Sequence, residues 1–239
     1  PIDTKLGMLR KIADDFKPKS IEVGSLASPK VLPQLADSEK VFEHALSMIT
    51  SNDGYTFTPY LLVPPKADKL DKALDIGCDS ISIPSSTSEA FQQKNVKMSI
   101  DDTYRTVIDY ARYLPFNNIK IYLSCLNYCP VSKKTISSTA IAQEVARYIF
   151  YQEVTQVCLS DTSGTLTDDD LIAIMTLLKR LLVQPSKIGL HLHAGPTLID
   201  RQRVAKLLGV AKLAGIKWID VSLTSGGGCS VTMKRSEIR

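Results

Sequence analysis

The sequence predicts an α/β fold in which parallel strands alternate with helices. Seven short apolar runs recur at roughly 30-residue spacing, and a helical or loop segment follows each of them. The composition, with 44% apolar and 23% charged residues over 239 positions, is that of an ordinary globular protein. No stretch of low complexity divides the chain, so we predict one β/α domain over residues 1–239.

The predicted strands are apolar runs of four to seven residues that end at polar or turn-forming residues. They cover residues 20–24, 59–63, 80–83, 119–124, 156–160, 187–193 and 218–223. Segment 85–97 is polar, and we predict a loop there, although its Ser86-Thr-Ser-Glu89 resembles the start of a helix.

The predicted helices carry apolar residues three and four positions apart. They cover residues 4–16, 37–49, 66–74, 100–113, 138–151, 167–182 and 198–214. Thr167 is the predicted N-cap of its helix, whose first turn holds three aspartates that the helix dipole favours. Gly215 is predicted to end the last helix.

Strand–helix alternation fits both a doubly wound sheet and a closed barrel, and the polar residues favour the barrel. Glu22, Cys125, Asp161, His191 and His193 stand at or near the carboxyl ends of different predicted strands. Barrel enzymes assemble their active sites from such positions. Because a full barrel has eight strands, we predict a TIM (β/α)8-type barrel seen with about seven strands, its first strand missing. We interpret the chain as truncated at both ends.

Two of the three histidines, His191 and His193, lie one residue apart at the end of an apolar run. Residues two apart on a strand share a face, so both imidazoles would point the same way. Imidazole is a common metal ligand, and this pair can hold one divalent ion. The alternative is two hydrogen-bonded histidines at a strand end.

Three further positions are candidates for acid–base chemistry. Glu22 lies inside an apolar run, so it needs a cation or a hydrogen-bond donor, or lies in an open mouth; the alternative is a structural salt bridge. Asp161 follows a strand and can orient a ligand or accept a proton, or simply form a turn. Cys229 follows the glycines 226–228 and is a candidate acid–base thiol on a flexible loop, the alternative being a mobile turn.

Charge, hydropathy and cysteine content limit the expected partners and the cellular compartment of the protein. The net charge of +4 is small and spread out, so we expect no nucleic-acid partner. No run approaches the roughly 18 apolar residues of a membrane span, so we expect no membrane partner. Five cysteines without a secreted framework predict reduced thiols in an intracellular, reducing compartment, either the cytoplasm or the mitochondrial matrix.

Five segments, in family order, resemble those of the 3-hydroxy-3-methylglutaryl-CoA lyase family. They are Ile21-Glu-Val-Gly-Ser-Leu-Ala-Ser-Pro-Lys-Val-Leu-Pro-Gln34, Leu123-Ser-Cys-Leu-Asn-Tyr-Cys-Pro130, Leu159-Ser-Asp-Thr-Ser-Gly164, His191-Leu-His193 and Gly226-Gly-Gly-Cys229. The resemblance implies a metal-dependent barrel that uses Mg²⁺ or Mn²⁺. It also implies an acyl-CoA substrate, 3-hydroxy-3-methylglutaryl-CoA, which is split into acetoacetate and acetyl-CoA.

The resemblance also implies roles for single residues. His191 and His193 match metal ligands, and Glu22, Asp161 and Cys229 match catalytic residues. The expected substrate-binding residues are Ser25, Thr162, Gly226, Gly227 and Gly228. A homodimer is compatible with the resemblance.

Some family residues have no counterpart here. The family carries an Arg-Asp pair on its first strand, which this sequence does not contain, and Ala194 stands where the family has an acid. No asparagine follows Cys229. The alternative function is therefore a catalytically degenerate barrel that acts as a binding or interaction scaffold.

Overall fold

A computed structural model of the protein describes residues 1–51, 54–113, 116–195 and 197–222. Seven strands form one parallel sheet in chain order. They are β1 (Ser20–Ser25), β2 (Thr58–Leu62), β3 (Ser80–Ser86), β4 (Asn118–Ser124), β5 (Val154–Ser160), β6 (Ile188–His191) and β7 (Trp218–Asp220). Each strand pairs with the next, which is the arrangement that β/α units predict.

The sheet is curled but open on one side. Within the described residues no ladder joins β7 to β1. Residues of both edge strands instead line one cavity of about 570 Å³, which opens between them. We call this opening the slot; it is lined by residues of Ser20–Glu22 on one edge and Trp218–Ser222 on the other.

Eight helices cover the outside of the sheet in the described parts of the chain. They are α1 (Ile2–Phe16), α2 (Ser38–Thr50), α3 (Ala67–Asp75), α4 (Glu89–Val96), α5 (Ile100–Tyr113), α6 (Ser138–Ile149), α7 (Asp168–Arg180) and α8 (Leu198–Ala214). The main core lies between the helices and the outer face of the strands. Ile119, Ile121 and Leu123 of β4, for example, are buried in one cluster with Val145 of α6. None of these helices combines the length and apolarity of a transmembrane segment.

Predicted helix ends agree well with the structure. Thr167 caps α7 in a capping box with Asp170, whose side chain accepts from the Thr167 backbone N–H. Gly215 ends α8 with a φ of 83°, a left-handed conformation that glycine adopts without strain. The predicted loop over 85–97 is wrong, because β3 continues to Ser86 and α4 begins at Glu89. The Ser88 hydroxyl caps α4, so the cap-like sequence was the better signal there.

All four cysteines that the structure describes are buried. Cys78, Cys129 and Cys158 are free thiols, and the reduced state of the cysteines stays a prediction. Burial raises the pKa of Cys78 to about 11, and it also raises the pKa of Cys158. These two thiols therefore remain protonated at neutral pH.

Candidate active site

The two histidines lie next to each other, although not for the predicted reason. β6 ends at His191, so His193 lies beyond the strand and the expected shared strand face does not apply to it. The imidazole centroids are nevertheless 5.1 Å apart, with the rings nearly perpendicular at 84°. The turn after β6 therefore brings together the two side chains that the sequence singled out.

The hydrogen bonds of both imidazoles fix their neutral tautomers. His191 Nδ1 donates to the carbonyl oxygen of Asp220 at 3.0 Å, and His193 Nδ1 donates to that of Thr162 at 3.2 Å. A carbonyl oxygen can only accept, so Nδ1 carries the proton in both rings. Each Nε2 then keeps its lone pair, which is the arrangement that second-shell carbonyls impose on metal-binding histidines.

These imidazoles fit part of a ligand set for a divalent metal ion. Burial lowers the pKa of His193, and the neighbouring His191 lowers it further. A neutral imidazole is the form that binds a metal. Within the described residues, however, no third His, Cys, Asp or Glu completes a group around them. The described chain therefore offers two candidate ligands, and the role of both histidines as metal ligands stays a prediction.

Glu22 faces the same cavity as His191, as the barrel alignment predicts. Its Oε2 accepts a hydrogen bond from the Ser82 hydroxyl on β3, and solvent reaches the exposed side chain through the slot. Both the expected donor and the expected open mouth are thus present. Enclosure by the barrel raises the pKa of Glu22, whereas the Ser82 hydrogen bond and the charge of Lys120 oppose the rise. Solvent in the slot limits this effect further.

A charged cluster that sequence reasoning missed lies inside the barrel. Lys120 Nζ donates to Asp220 Oδ2 at 2.8 Å, and the Tyr122 hydroxyl donates to the same oxygen at 2.6 Å. Burial alone would lower the pKa of Lys120, but attraction to Asp220 outweighs it and raises that pKa. Lys120 therefore pairs with Asp220, and the alternative of a structural salt bridge to Glu22 is not found among the described residues.

A period-two signal in the sequence could have revealed this cluster. Residues 118–124 read Asn-Ile-Lys-Ile-Tyr-Leu-Ser, in which polar and apolar residues alternate. A parallel strand covered on both faces is usually apolar throughout. The alternation therefore indicates that one face of β4 looks into a polar barrel interior, where Lys120 and Tyr122 lie.

Asp161 is buried and holds a loop together. Its side chain is 1% exposed, and its Oδ2 accepts from Arg203 Nη1 on α8 at 2.7 Å. Its Oδ1 accepts from the backbone N–H groups of Thr165 and Leu166, each at 3.0 Å. Both carboxylate oxygens therefore have partners in the described chain. This is the arrangement of an anchoring carboxylate, and a direct catalytic role for Asp161 stays a prediction.

The chain matches one protein family over nearly its whole length. The family model described as HMGL-like covers residues 2–230. The chain belongs to the HMGL-like family. The hydroxymethylglutaryl-CoA lyase of Pseudomonas mevalonii is 29% identical over 231 residues, which are 95% of this chain and 71% of that enzyme. The mitochondrial hydroxymethylglutaryl-CoA lyase of Macaca fascicularis is 31% identical over 215 residues, 87% of this chain and 60% of that enzyme.

Solved structures of HMG-CoA lyases share the fold of this HMGL-like chain. The enzyme of Brucella melitensis matches with a TM-score of 0.80 at 26% identity, over 96% of this chain and 76% of that one. The enzyme of Acinetobacter baumannii, solved in complex with coenzyme A and 3-methylmalate, matches with a TM-score of 0.76 at 21% identity, over 96% and 70%. The predicted α/β barrel class is confirmed, and the described chain forms a curled half-barrel of seven parallel strands.

Ser25 and Thr162 of the HMGL-like chain both make bonds that shape the loops above the strands. Ser25 is buried, and its hydroxyl donates to the carbonyl of Leu62 and accepts from the N–H of Ala27. The Thr162 hydroxyl accepts from the backbone N–H of Cys125 at 3.0 Å. The backbone carbonyl of the same threonine accepts the hydrogen bond from His193 Nδ1. Direct contact of either residue with a substrate stays a prediction.

The predicted glycine–cysteine loop lies outside the described residues. This applies to Gly226, Gly227, Gly228 and Cys229, and also to Leu223 at the end of the last predicted strand. The described part of that strand, β7, ends at Asp220. The roles of the loop residues therefore stay predictions.

Proposed function

We propose that this HMGL-like protein is a carbon–carbon lyase that cleaves 3-hydroxy-3-methylglutaryl-CoA into acetyl-CoA and acetoacetate. One observation carries the proposal: two adjacent imidazoles, each with its Nδ1 hydrogen-bonded to a backbone carbonyl, lie at and just beyond the carboxyl end of β6. His191 lines the same cavity as the carboxylate of Glu22. The choice of reaction is supported by the similarity of the chain to hydroxymethylglutaryl-CoA lyases.

His191 and His193 would hold a divalent cation, Mg²⁺ or Mn²⁺, through Nε2. Such a cation supplies a Lewis acid that polarises the oxygens of the substrate. Hard cations prefer oxygen ligands, so we expect two imidazoles alone to bind weakly. The remaining positions would be filled by water, by substrate oxygens or by residues outside the described chain.

The reaction requires two proton transfers. A base takes the proton from the hydroxyl on C3 of the substrate, and the C2–C3 bond breaks to give the new ketone of acetoacetate. The bonding electron pair leaves with C2 as the enolate of acetyl-CoA, which an acid then protonates on carbon. We assign the second proton to the thiol of Cys229. We assign to Glu22 a place beside the reacting hydroxyl, because its carboxylate faces the cavity that His191 lines.

An acyl-CoA thioester is the proposed substrate class. The structurally similar A. baumannii enzyme was solved with coenzyme A, the thiol component of an acyl-CoA, and this is consistent with an acyl-CoA substrate. Ser25 and Thr162 would act on the substrate by holding the loops that surround it, and Gly226, Gly227 and Gly228 are further proposed substrate-binding residues. We also propose a reducing compartment as the place of action, which is supported by the free thiols of Cys78, Cys129 and Cys158.

The decisive experiment is a lyase assay on the purified protein. The protein is incubated with 3-hydroxy-3-methylglutaryl-CoA, with and without Mg²⁺ or Mn²⁺, and acetoacetate and acetyl-CoA are measured. We expect equimolar products that depend on the cation and that fall strongly in His193→Ala. Thioester binding without any product, at all cation concentrations, would instead support the scaffold function.

The role of Cys229 has its own test. We expect Cys229→Ala to lower turnover far more than it lowers the melting temperature, because its place after three glycines predicts a loop thiol, and such a thiol contributes little to the core. Thiol labelling should modify Cys229 in the free protein and be slowed by a substrate analogue. A Cys229 thiol that resists labelling in both states would remove it as the proton donor.

A further inference from the structure

Arg203 joins two loops of the candidate site. It lies on α8, and its Nη1 donates to Asp161 Oδ2 at 2.7 Å and to the carbonyl of Leu166 at 3.0 Å. Its Nη2 donates to the backbone carbonyl of His193. One guanidinium therefore contacts the loop after β5 and the segment after β6 at the same time.

His193 depends on such contacts because the sheet does not hold it. The β6 ladder ends at His191, which pairs with Ser160 on one side and Asp220 on the other. Two hydrogen bonds then fix His193, one from Arg203 to its carbonyl and one from its imidazole to the Thr162 carbonyl. The first bond is donated by Arg203 itself, and the second is accepted by Thr162, which directly follows Asp161 in the chain.

The partner of Arg203 is itself firmly placed. The Asp161 carboxylate is 1% exposed and accepts two backbone N–H groups on the oxygen that Arg203 does not use. Charge-assisted hydrogen bonds of this kind are shorter and stronger than neutral ones. The Asp161–Arg203 ion pair thus connects the loop after β5 to α8. The other terminal nitrogen of the guanidinium, Nη2, donates to the His193 carbonyl.

We propose that Arg203 is a positioning residue for His193, and that Asp161 serves the site by holding Arg203. The metal-binding role of the His193 imidazole rests on the proposed function, whereas the contacts of Arg203 do not. A planar guanidinium offers several N–H groups in a fixed fork, whereas the ammonium of a lysine is a single point charge. Lysine can pair with Asp161, but its single nitrogen provides no second donor group at a fixed distance for the His193 carbonyl.

That difference provides a test that separates positioning from folding. Three variants are compared with the wild type in the metal-free protein: Arg203→Lys, Arg203→Met and Arg201→Met. Arg201 is an exposed arginine two positions earlier on α8 and serves as the matched control. The readouts are chemical denaturation, the ¹⁵N shifts of the imidazole nitrogens and Mn²⁺ affinity. With only three histidines, the imidazole signals are few enough to assign.

We expect Arg203→Lys to keep most of the stability while the His193 ¹⁵N signals move from a single Nδ1–H tautomer towards a mixture. The His191 signals should stay in place, because the Asp220 carbonyl holds that ring. Mn²⁺ affinity should fall about tenfold or more, as when an outer partner of a metal-binding histidine is lost. Arg201→Met should match the wild type in every readout.

Unchanged His193 signals and unchanged Mn²⁺ affinity in Arg203→Lys would overturn the inference. If Arg203→Met does not fold, the lysine variant still decides. The tautomer measurement needs neither metal nor turnover. A protein without lyase activity whose His193 signals respond to Arg203→Lys would therefore contradict the proposed reaction and keep the positioning role.

Discussion

Removing the charge of Lys120 tests whether the barrel interior contains a true buried ion pair. Lys120 Nζ lies 2.8 Å from Asp220 Oδ2, with side chains only 7% and 18% exposed. The chain offers a matched surface pair, Lys72 and Glu39, at 2.9 Å but with side chains 42% and 44% exposed. Replacing either lysine with methionine keeps most of the length of the side chain and removes the charge.

The expected loss for Lys120→Met follows from what Asp220 retains. Deleting one partner of a buried pair costs about 3–5 kcal/mol, because the other charge is left without compensation. Asp220 keeps the hydroxyl of Tyr122 at 2.6 Å and has some contact with solvent, so we expect the lower end, about 3 kcal/mol. Lys72→Met should change stability very little, because water screens an exposed pair.

Chemical denaturation of both variants gives the free energies of unfolding directly. A second readout follows from Glu22, whose pKa the charge of Lys120 lowers. In Lys120→Met we therefore expect the pKa of Glu22, followed by carboxyl ¹³C NMR, to rise further. If Lys120→Met costs no more than Lys72→Met and leaves Glu22 unchanged, the interior charge cluster is not formed as described.

Two further predictions concern packing and a thiol. A Cβ on Gly24 would lie 2.5 Å from Ser38, so we expect Gly24→Ala to lower the free energy of unfolding by about 1–3 kcal/mol, as measured in thermal melts. A Cβ on Gly7 would have nothing within 4 Å, so Gly7→Ala should stabilise α1 by up to about 1 kcal/mol. Burial opposes ionisation of Cys129, but hydrogen bonds to its sulfur outweigh it and lower its pKa from 9.0 to about 7. Stability should therefore rise between pH 7 and 9 and be lost as pH falls through that window, and Cys129→Ala should abolish the trend.

The sequence predicted the elements of this fold well because local signals determine them. The seven strands and most helices follow from hydrophobic periodicity, and the ends of α7 and α8 follow from Thr167 and Gly215. The helix α4 was missed because its residues are mostly polar, with a weak apolar face. The Ser88 cap is the stronger local signal in this segment, because its hydroxyl accepts from the Phe91 N–H.

The candidate site was only half predictable, for a different physical reason. His191, His193 and Glu22 stand out locally, as histidines two apart and as an acid in an apolar run. Arg203 and Asp220 do not, because their roles depend on partners 42 and 100 residues away in the sequence. Strand periodicity cannot identify such pairs, since the curl of the sheet brings Lys120 and Asp220 together and the position of α8 brings Arg203 to Asp161.

We propose that His191 and His193 bind one metal ion through Nε2. The most direct measurement is Mn²⁺ titration followed by the imidazole signals in NMR, with His44 on α2 as the internal reference. We predict that the His191 and His193 signals broaden together at low Mn²⁺ and before that of His44. Broadening of only one of the two, or of all three histidines alike, would contradict a shared metal site.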